Sequence, residues 1–178
     1  MAHIHTKPGQ HDHTASAFII RTDTPKSTIM LHRHKLLGIY LQFGGHIELD
    51  ETPWQTVLHE IREESGYTPE ELWLLQPKVR VKRVSDADLH PYPVGYHTHP
   101  FNKTHNHIDI SFAFVASKPP KHAIEAGESS DIQLFTKEEL LALPAGGTPE
   151  NVKEIARFVF DECLKNWEKI RASDWDKA

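Results

Sequence analysis

The feature that most constrains the fold is the segment GGHIELDETPWQTVLHEIREESGY at residues 44–67. Its apolar residues recur with the 3.6-residue period of an amphipathic helix, which predicts one buried stripe. Three glutamates, Glu60, Glu63 and Glu64, occupy positions i, i+3 and i+4 and therefore share a second patch of the same helix. Like charges at this spacing repel by about 0.2–0.5 kcal/mol per pair. The pattern therefore predicts a positively charged partner at this patch.

Both ends of this helix are marked in the sequence. Thr52 is a favoured N-cap, Pro53 suits the first helical position and Gln55 completes a capping box. Gly66 supplies the left-handed residue that ends many helices. The signals predict a short helix that begins at residue 53 and ends just before Gly66.

The same segment also matches a known motif. From Gly45 it is written G-x5-E-x7-H-E-I-x-E-E-x-G-Y. This resembles the Nudix box of the Nudix hydrolases, G-x5-E-x7-R-E-U-x-E-E-x-G-U, in which U is a bulky apolar residue. Eight of its nine defined positions are met, and the departure is His59 in place of arginine. A match with fixed gaps over this length is highly specific, and the resemblance covers roughly residues 13–165.

The resemblance implies a fold, an activity and a metal site. The fold would be α/β (α+β), a Nudix-type α/β/α sandwich with a mixed sheet, and the activity would be cleavage of a pyrophosphate bond in a nucleoside diphosphate derivative. Glu60, Glu63 and Glu64 would be metal ligands and catalytic residues, and Gly45 would offer its carbonyl to a metal. Mg²⁺ is the expected cofactor, with Mn²⁺ as a substitute. Mg²⁺ prefers oxygen ligands and leaves part of its shell to substrate phosphates, which agrees with a patch of three carboxylates.

The departure from the motif concerns the residues that brace the site. In the family, the arginine and the earlier glutamate hold the loop against the helix, and here these positions are His59 and Glu51. A His59–Glu51 hydrogen bond would do part of that work, but histidine is shorter and its charge depends on pH. Weak or pH-dependent activity is therefore expected. The alternative is a catalytically silent Nudix-fold module that binds a nucleotide.

Further site residues are predicted outside the motif. Glu128 is a candidate metal ligand or general base, with a solvated loop charge as the alternative. His107 and Asp109 share the polar face of the clearest predicted strand and are candidates for substrate binding, as is His13 at the start of the first strand. Arg80 is a candidate phosphate contact. An exposed strand face or edge is the alternative explanation for these four residues.

Histidine is unusually frequent, with 14 residues. The pairs HIH, HDH, HRH, HTH and HNH each place two imidazoles on the same face of a strand. Such a density is typical of transition-metal sites, although polar strand faces explain it too. A His-rich transition-metal binding protein is therefore a third hypothesis.

The remaining pattern predicts one domain over residues 13–178 after a polar lead of residues 1–12. A Pro- and His-rich stretch at residues 86–104 predicts a long loop. Helices are predicted from about residue 137 and over residues 148–170. Strands are predicted at residues 14–22, 27–34, 37–43, 71–77, 78–84, 105–116 and 131–135.

Composition narrows the partners and the compartment. Twenty Lys and Arg against 25 Asp and Glu give a net charge of −5, which argues against general nucleic-acid binding. No apolar run is long enough to span a membrane, and the N-terminal residues do not resemble a secretory signal. A single cysteine, Cys163, excludes an internal disulfide. We expect a cytoplasmic protein, a monomer or homodimer, that acts on a small nucleotide derivative.

Overall fold

The computed structural model describes residues 7, 9–101 and 105–177. In this part of the chain nine strands form one sheet, in which β3, β2, β1, β7, β5 and β9 are neighbours in that order, while β4 pairs with β1, β6 with β7 and β8 with β2. The strands are β1 His11–Arg21, β2 Thr28–Arg33, β3 Tyr40–Leu41, β4 Phe43–His46, β5 Leu72–Gln76, β6 Gly95–Pro100, β7 Asn106–Ala116, β8 Ile132–Thr136 and β9 Glu168–Arg171. The helices are α1 Pro53–Ser65, α2 Lys137–Leu141, α3 Glu150–Phe158 and α4 Leu164–Asn166.

The long strands β1 and β7 form the centre of the sheet. They pair in parallel from His11 opposite Asn106 to Arg21 opposite Ala116. The pairs of β1 with β2 and β4, and of β7 with β5 and β6, are antiparallel. The sheet is therefore mixed, as the sequence predicts.

Alternation along β1 divides the core into two faces. On the α1 face, Ala15 and Ala17 pack in one cluster with Trp54 of α1, whose ring stacks 6.0 Å from that of Phe114. On the opposite side, called here the α3 face, Phe18 shares a second cluster with residues of α3 and the turns that follow it. Helices thus cover both faces of a mixed sheet, which confirms the predicted α/β/α sandwich.

The ends of α1 lie where the capping signals predict. The Thr52 side chain accepts a hydrogen bond from the backbone N–H of Gln55, and the Gln55 side chain accepts one from the Thr52 N–H. Gly66 ends the helix in the left-handed region, with φ 75°. Local capping therefore fixes the rotation of α1 and with it the direction of its glutamates.

Two predicted elements in the middle of the chain are wrong. Residues 78–84 form no strand, and Val79 is 94% exposed, because their alternating pattern has no neighbouring strand to pair with. Conversely, β6 lies inside the predicted loop of residues 86–104, where it pairs with β7. Residues 102–104 of that loop, like residues 1–6 and 8 of the predicted polar lead, lie outside the described residues.

The C-terminal helix is also shorter than predicted. A π-helical turn, Val159–Cys163, follows α3, and α4 ends at Asn166. The next residues form β9 instead, because the edge of β5 is open to pair with them. No helix of the described residues is long and apolar enough to cross a membrane.

Candidate active site

Two adjacent glycines bring β4 into direct contact with α1. A Cβ at Gly45 would overlap the Glu60 carboxylate. The Gly44 N–H donates a 2.9 Å hydrogen bond to Glu64 Oε2. Gly44 itself has φ 148°, and a Cβ there would stand 2.7 Å from Ser16 Cα. Only glycine therefore lets the strand pass this close to both its neighbour and the helix.

The two carboxylates next to the glycines are strongly perturbed. Burial raises the pKa of Glu64 to about 9, and repulsion from Glu60 adds to the rise. Burial likewise raises the pKa of Glu60 to about 7; the neighbouring His59 opposes this rise, and repulsion from Glu63 adds to it. Neither group has enough positive charge near it to stay ionised as an ordinary carboxyl does. A divalent cation at this patch would lower both pKa values, so the residues present fit such an ion.

His32 lies beside this pair but does not neutralise it. Its Nδ1 is 3.5 Å from Glu64 Oε1. Burial lowers the pKa of His32 to about 4, and the nearby His34 lowers it further. Between about pH 4 and pH 9 the His32 imidazole is therefore neutral and the Glu64 carboxyl is protonated, so the contact is not an ion pair. Sequence reasoning missed His32; its only signal was the HRH pair on a predicted strand.

His59 connects the loop before α1 to the carboxylate patch. Its Nδ1 is 3.2 Å from Glu51 Oε1, and its Nε2 is 2.6 Å from Glu63 Oε1. Thr56 Oγ1 donates a further 2.8 Å hydrogen bond to Glu51. Burial lowers the pKa of His59, but hydrogen bonds to Glu63 and Glu51 and their charges outweigh it, so the pKa is raised overall. The predicted His59–Glu51 contact is present, and His59 also holds Glu63.

The loop between β7 and β8 brings a fourth carboxylate to the patch. The Glu125 N–H donates a 2.8 Å hydrogen bond to the Glu63 carbonyl, and the Glu128 N–H donates one of 3.1 Å to Glu125. Glu128 is half-buried, and its charge contributes to the raised pKa values of Glu60 and Glu64. The loop attachment thus brings Glu128 close enough to Glu60 and Glu64 for its charge to act on both.

Asp109 lies on the α3 face at the centre of a hydroxyl cluster. Its carboxylate accepts hydrogen bonds from Thr14 Oγ1 at 2.8 Å, Ser16 Oγ at 2.8 Å and Ser111 Oγ at 2.5 Å. Asp109 is only 3% exposed. Ser16 lies opposite Gly44 in the β1–β4 pairing, so the cluster begins beside the glycine that holds Glu64.

His107 and His13 lie on opposite faces of the sheet. His107 is buried on the α3 face, with Nε2 3.1 Å from His105 Nε2, and burial lowers its pKa to about 4. His13 is exposed and lines a shallow groove beside the start of α1, together with Glu48 and Pro53. The structure therefore does not bring these two predicted substrate contacts together.

Arg80 lies apart from the patch. Its guanidinium is bonded to the Glu168 carboxylate, donates a 2.7 Å hydrogen bond to the Pro77 carbonyl and lies 6.0 Å from the Trp175 ring. Glu168 belongs to β9, at the other end of the sheet from β3. The structure does not place Arg80 near the box glutamates.

Comparisons with known proteins agree on one family. The family model of the NUDIX domain matches residues 12–158. A hydrolase of the NUDIX family from Clostridium perfringens has a similar structure, with TM-score 0.70 and 27% sequence identity, over 84% of this chain and 96% of that one. An Ap4A hydrolase from C. elegans gives TM-score 0.63 at 14% identity over 82% and 93% of the two chains. The NUDIX domain of Shewanella oneidensis NrtR, solved with ADP ribose, gives 0.55 at 17% identity over 84% and 88%. No protein of curated function matches.

The chain belongs to the Nudix family, because the family model spans most of its length. This confirms the family and the Nudix-type fold that the motif predicted. It also confirms the predicted enzyme class, a hydrolase that acts on pyrophosphate bonds. Nudix hydrolases generally use a divalent metal ion, which the patch of three carboxylates fits.

Proposed function

We propose that this chain is a Mg²⁺-dependent hydrolase, with Mn²⁺ as a substitute, that cleaves a phosphoanhydride bond in a nucleoside diphosphate derivative. The observation that supports this most is the adjacent pair of carboxyl groups of Glu60, which is half-buried, and Glu64, which is buried. Burial raises the pKa of both, and a bound cation would favour their ionised forms. Hard divalent cations take oxygen ligands of this kind and leave positions open for phosphates. The similar structures that act on Ap4A or bind ADP ribose support a nucleotide derivative as the substrate.

In this proposal Glu60, Glu63, Glu64 and the Gly45 carbonyl would hold the ion. When bound, the ion would polarise the phosphoryl group and lower the pKa of a water molecule. The chain itself orients the ligands. The Gly44 N–H holds the Glu64 carboxylate, and His59 holds the Glu63 carboxylate. Carboxylates held in this way need little rearrangement when the substrate arrives.

We assign Glu128 as the general base. It is half-buried and close enough to Glu60 and Glu64 for its charge to raise their pKa values. The oxygen of the attacking water forms a bond to phosphorus, and the bond from phosphorus to the bridging oxygen breaks. The proton of the water passes to a carboxylate, and the bridging oxygen leaves with the departing phosphate group.

The four residues predicted to contact the substrate differ in how well their positions suit that role. Asp109 is a positioning residue, because it holds Ser16 opposite Gly44 through a hydrogen bond. His13 borders an open groove at the start of α1, which suits the group linked to the diphosphate. His107 and Arg80 have less support as substrate contacts, since one is buried and the other is bonded to Glu168.

A catalytically silent nucleotide-binding module is the second candidate. The observation in its favour is His59, whose side chain replaces the arginine of the motif and reaches Glu51 only at 3.2 Å. Such a module would bind nucleotides without turnover, whatever metal is supplied.

The test is a hydrolysis screen of nucleoside triphosphates, nucleotide sugars, dinucleotides and ADP-ribose with Mg²⁺ and with Mn²⁺, in which the mononucleotide products are separated and quantified by ion-exchange chromatography. The double variant Glu63→Gln/Glu64→Gln is compared with Glu154→Gln, an exposed glutamate on α3. Turnover that is lost only in the double variant supports the hydrolase and identifies its substrate class. Nucleotide binding without turnover would refute the hydrolase and support the silent module. If the protein shows no turnover and binds no nucleotide, both the hydrolase and the silent module are refuted.

A further inference from the structure

Three imidazoles and one carboxylate meet on the α3 face of the sheet, away from the box glutamates. His105 Nε2 and His107 Nε2 are 3.1 Å apart. Asp12 Oδ2 lies 3.7 Å from His46 Nε2 and 3.8 Å from His105 Nε2. Ligand atoms of the three histidines all lie within 4.8 Å of one another. These four residues are called here the histidine cluster.

Strand register explains why these residues meet. Asp12 of β1 lies directly opposite His107 of β7, and Thr14, two residues further along β1, lies opposite His46 of β4. Side chains two residues apart share a strand face, so Asp12, His46 and His107 all project to the same side. The register of three strands therefore brings these three residues together, and His105 lies two residues before His107, just ahead of β7.

The cluster is also enclosed. Asp12, His105 and His107 are 5%, 5% and 7% exposed. The ring of Phe101 stacks on that of His107 at 4.5 Å and lies 5.0 Å from that of His105. His46 is half-buried. This group of nitrogen ligands under an aromatic ring differs from the carboxylate patch, whose ligand atoms are oxygens.

We propose that the histidine cluster is a second metal site, built for a transition-metal ion of the Zn²⁺ type. Imidazole nitrogens select Zn²⁺, Ni²⁺ or Cu²⁺, whereas carboxylate and carbonyl oxygens suit Mg²⁺ and Mn²⁺. Zinc–nitrogen bonds of about 2.0–2.1 Å in a tetrahedron place neighbouring ligand atoms about 3.3 Å apart. The observed separations of 3.1, 3.7 and 3.8 Å are close to this value. The three histidines form the mutually close set of ligand atoms, and Asp12 would be the fourth ligand of a site with four protein ligands.

The site has a structural consequence for the rest of the molecule. His46 directly follows Gly45, and Gly45 lies against the Glu60 carboxylate. An ion bound by His46, His107 and Asp12 would cross-link β4, β7 and β1. It would therefore hold the glycine pair against the sheet from the face opposite α1, and stabilise the folded chain by mass action.

The test uses the full chain, stripped of metal and titrated with Co²⁺ or Zn²⁺ in the presence of excess Mg²⁺. We expect one tightly bound equivalent, with the absorption bands of tetrahedral Co²⁺, and equal affinity in Glu60→Gln/Glu64→Gln. In His105→Ala/His107→Ala we expect at least a hundredfold loss of affinity. The matched control is His11→Ala/His13→Ala, an i, i+2 pair that flanks Asp12 on the opposite face of β1.

Two further measurements keep the proposal testable if the double histidine variant does not fold. Asp12→Asn keeps the size of the side chain and should weaken Co²⁺ binding at least tenfold. Zn²⁺ should also raise the melting temperature of Glu60→Gln/Glu64→Gln. Absence of stoichiometric binding would overturn the proposal. Loss of Co²⁺ binding in Glu60→Gln/Glu64→Gln would also overturn it. So would Co²⁺ binding that is unchanged in both His105→Ala/His107→Ala and Asp12→Asn.

Discussion

Replacing Glu64 with glutamine should stabilise the metal-free protein at neutral and alkaline pH. Folding raises the pKa of Glu64 from its ordinary 4.5 to about 9. The folded state therefore holds a proton that the unfolded chain has released, and wild-type stability falls as pH rises from 4.5 towards 9. Near pH 7.5 the difference of about 3 pH units corresponds to at most about 4 kcal/mol. Glutamine removes this penalty and keeps an acceptor for the Gly44 N–H.

The charged and titratable groups that face Glu64 do not change this sign. His32 is neutral in the folded state above about pH 5, since its pKa is about 4. Its titration in the unfolded chain is the same in both proteins and cancels in the difference. The other three groups are carboxylates that raise the pKa of Glu64 by repulsion: Glu60, Glu128 and Glu63.

The assay is thermal unfolding in EDTA at pH 5 and pH 8, with Glu154→Gln as the exposed control. For a chain of this length, a realised gain of about 2 kcal/mol raises the melting temperature by about 4–8 °C. We expect that gain at pH 8, less than about 2 °C at pH 5, and no gain in the control. A gain of equal size at both pH values, or a loss at pH 8, would refute the reasoning. Activity should be lost in Glu64→Gln at either pH.

Three further predictions follow from contacts described above. His59→Arg should raise turnover, since a longer side chain braces Glu51 better; unchanged or lower turnover in a steady-state assay would mean that the site is built around histidine. Gly44→Ala should cost about 2–5 kcal/mol in urea unfolding, because the new Cβ meets the backbone of β1 in a strained conformation. Gly127→Ala, which has φ 115° but open space, is its control, and an equal loss in both would contradict the packing argument. The Cys163 thiol is buried, and burial raises its pKa to about 12, so a thiol reagent at pH 8 should react only after unfolding; rapid reaction of the native protein would show otherwise.

The part of the site that sequence could predict is the part encoded locally. Capping by Thr52 and Gln55, and the three-and-four spacing of the glutamates, determine α1 and the direction of its acidic patch. The Gly44–Gly45 contact follows from the same short segment. Such features need no knowledge of distant strands, because helix periodicity alone sets them.

The rest depends on strand pairing between distant segments. Residues 78–84 look like a strand but have no neighbour, while β6 is hidden in a Pro- and His-rich stretch and depends on β7 for its hydrogen bonds. His46 could not be assigned to a face, because the predicted strand ended at residue 43. Its meeting with Asp12 requires the register of β1 with both β4 and β7. Pairing over such sequence distances is not encoded in local composition.

The parallel pairing of β1 with β7 also determines the order in which the chain can fold. His11 and Asn106 form the first pair of this ladder, and 95 residues separate them in the sequence. At about 5–20 residues per second, the ribosome needs roughly 5–20 s to synthesise that interval. During this time β1 has only β2 and β4 as partners, so the acidic helix is made well before the central ladder can close. Late closure of a long, non-local ladder makes folding slow, and it leaves the apolar edge of β1 as the segment that a chaperone would need to protect.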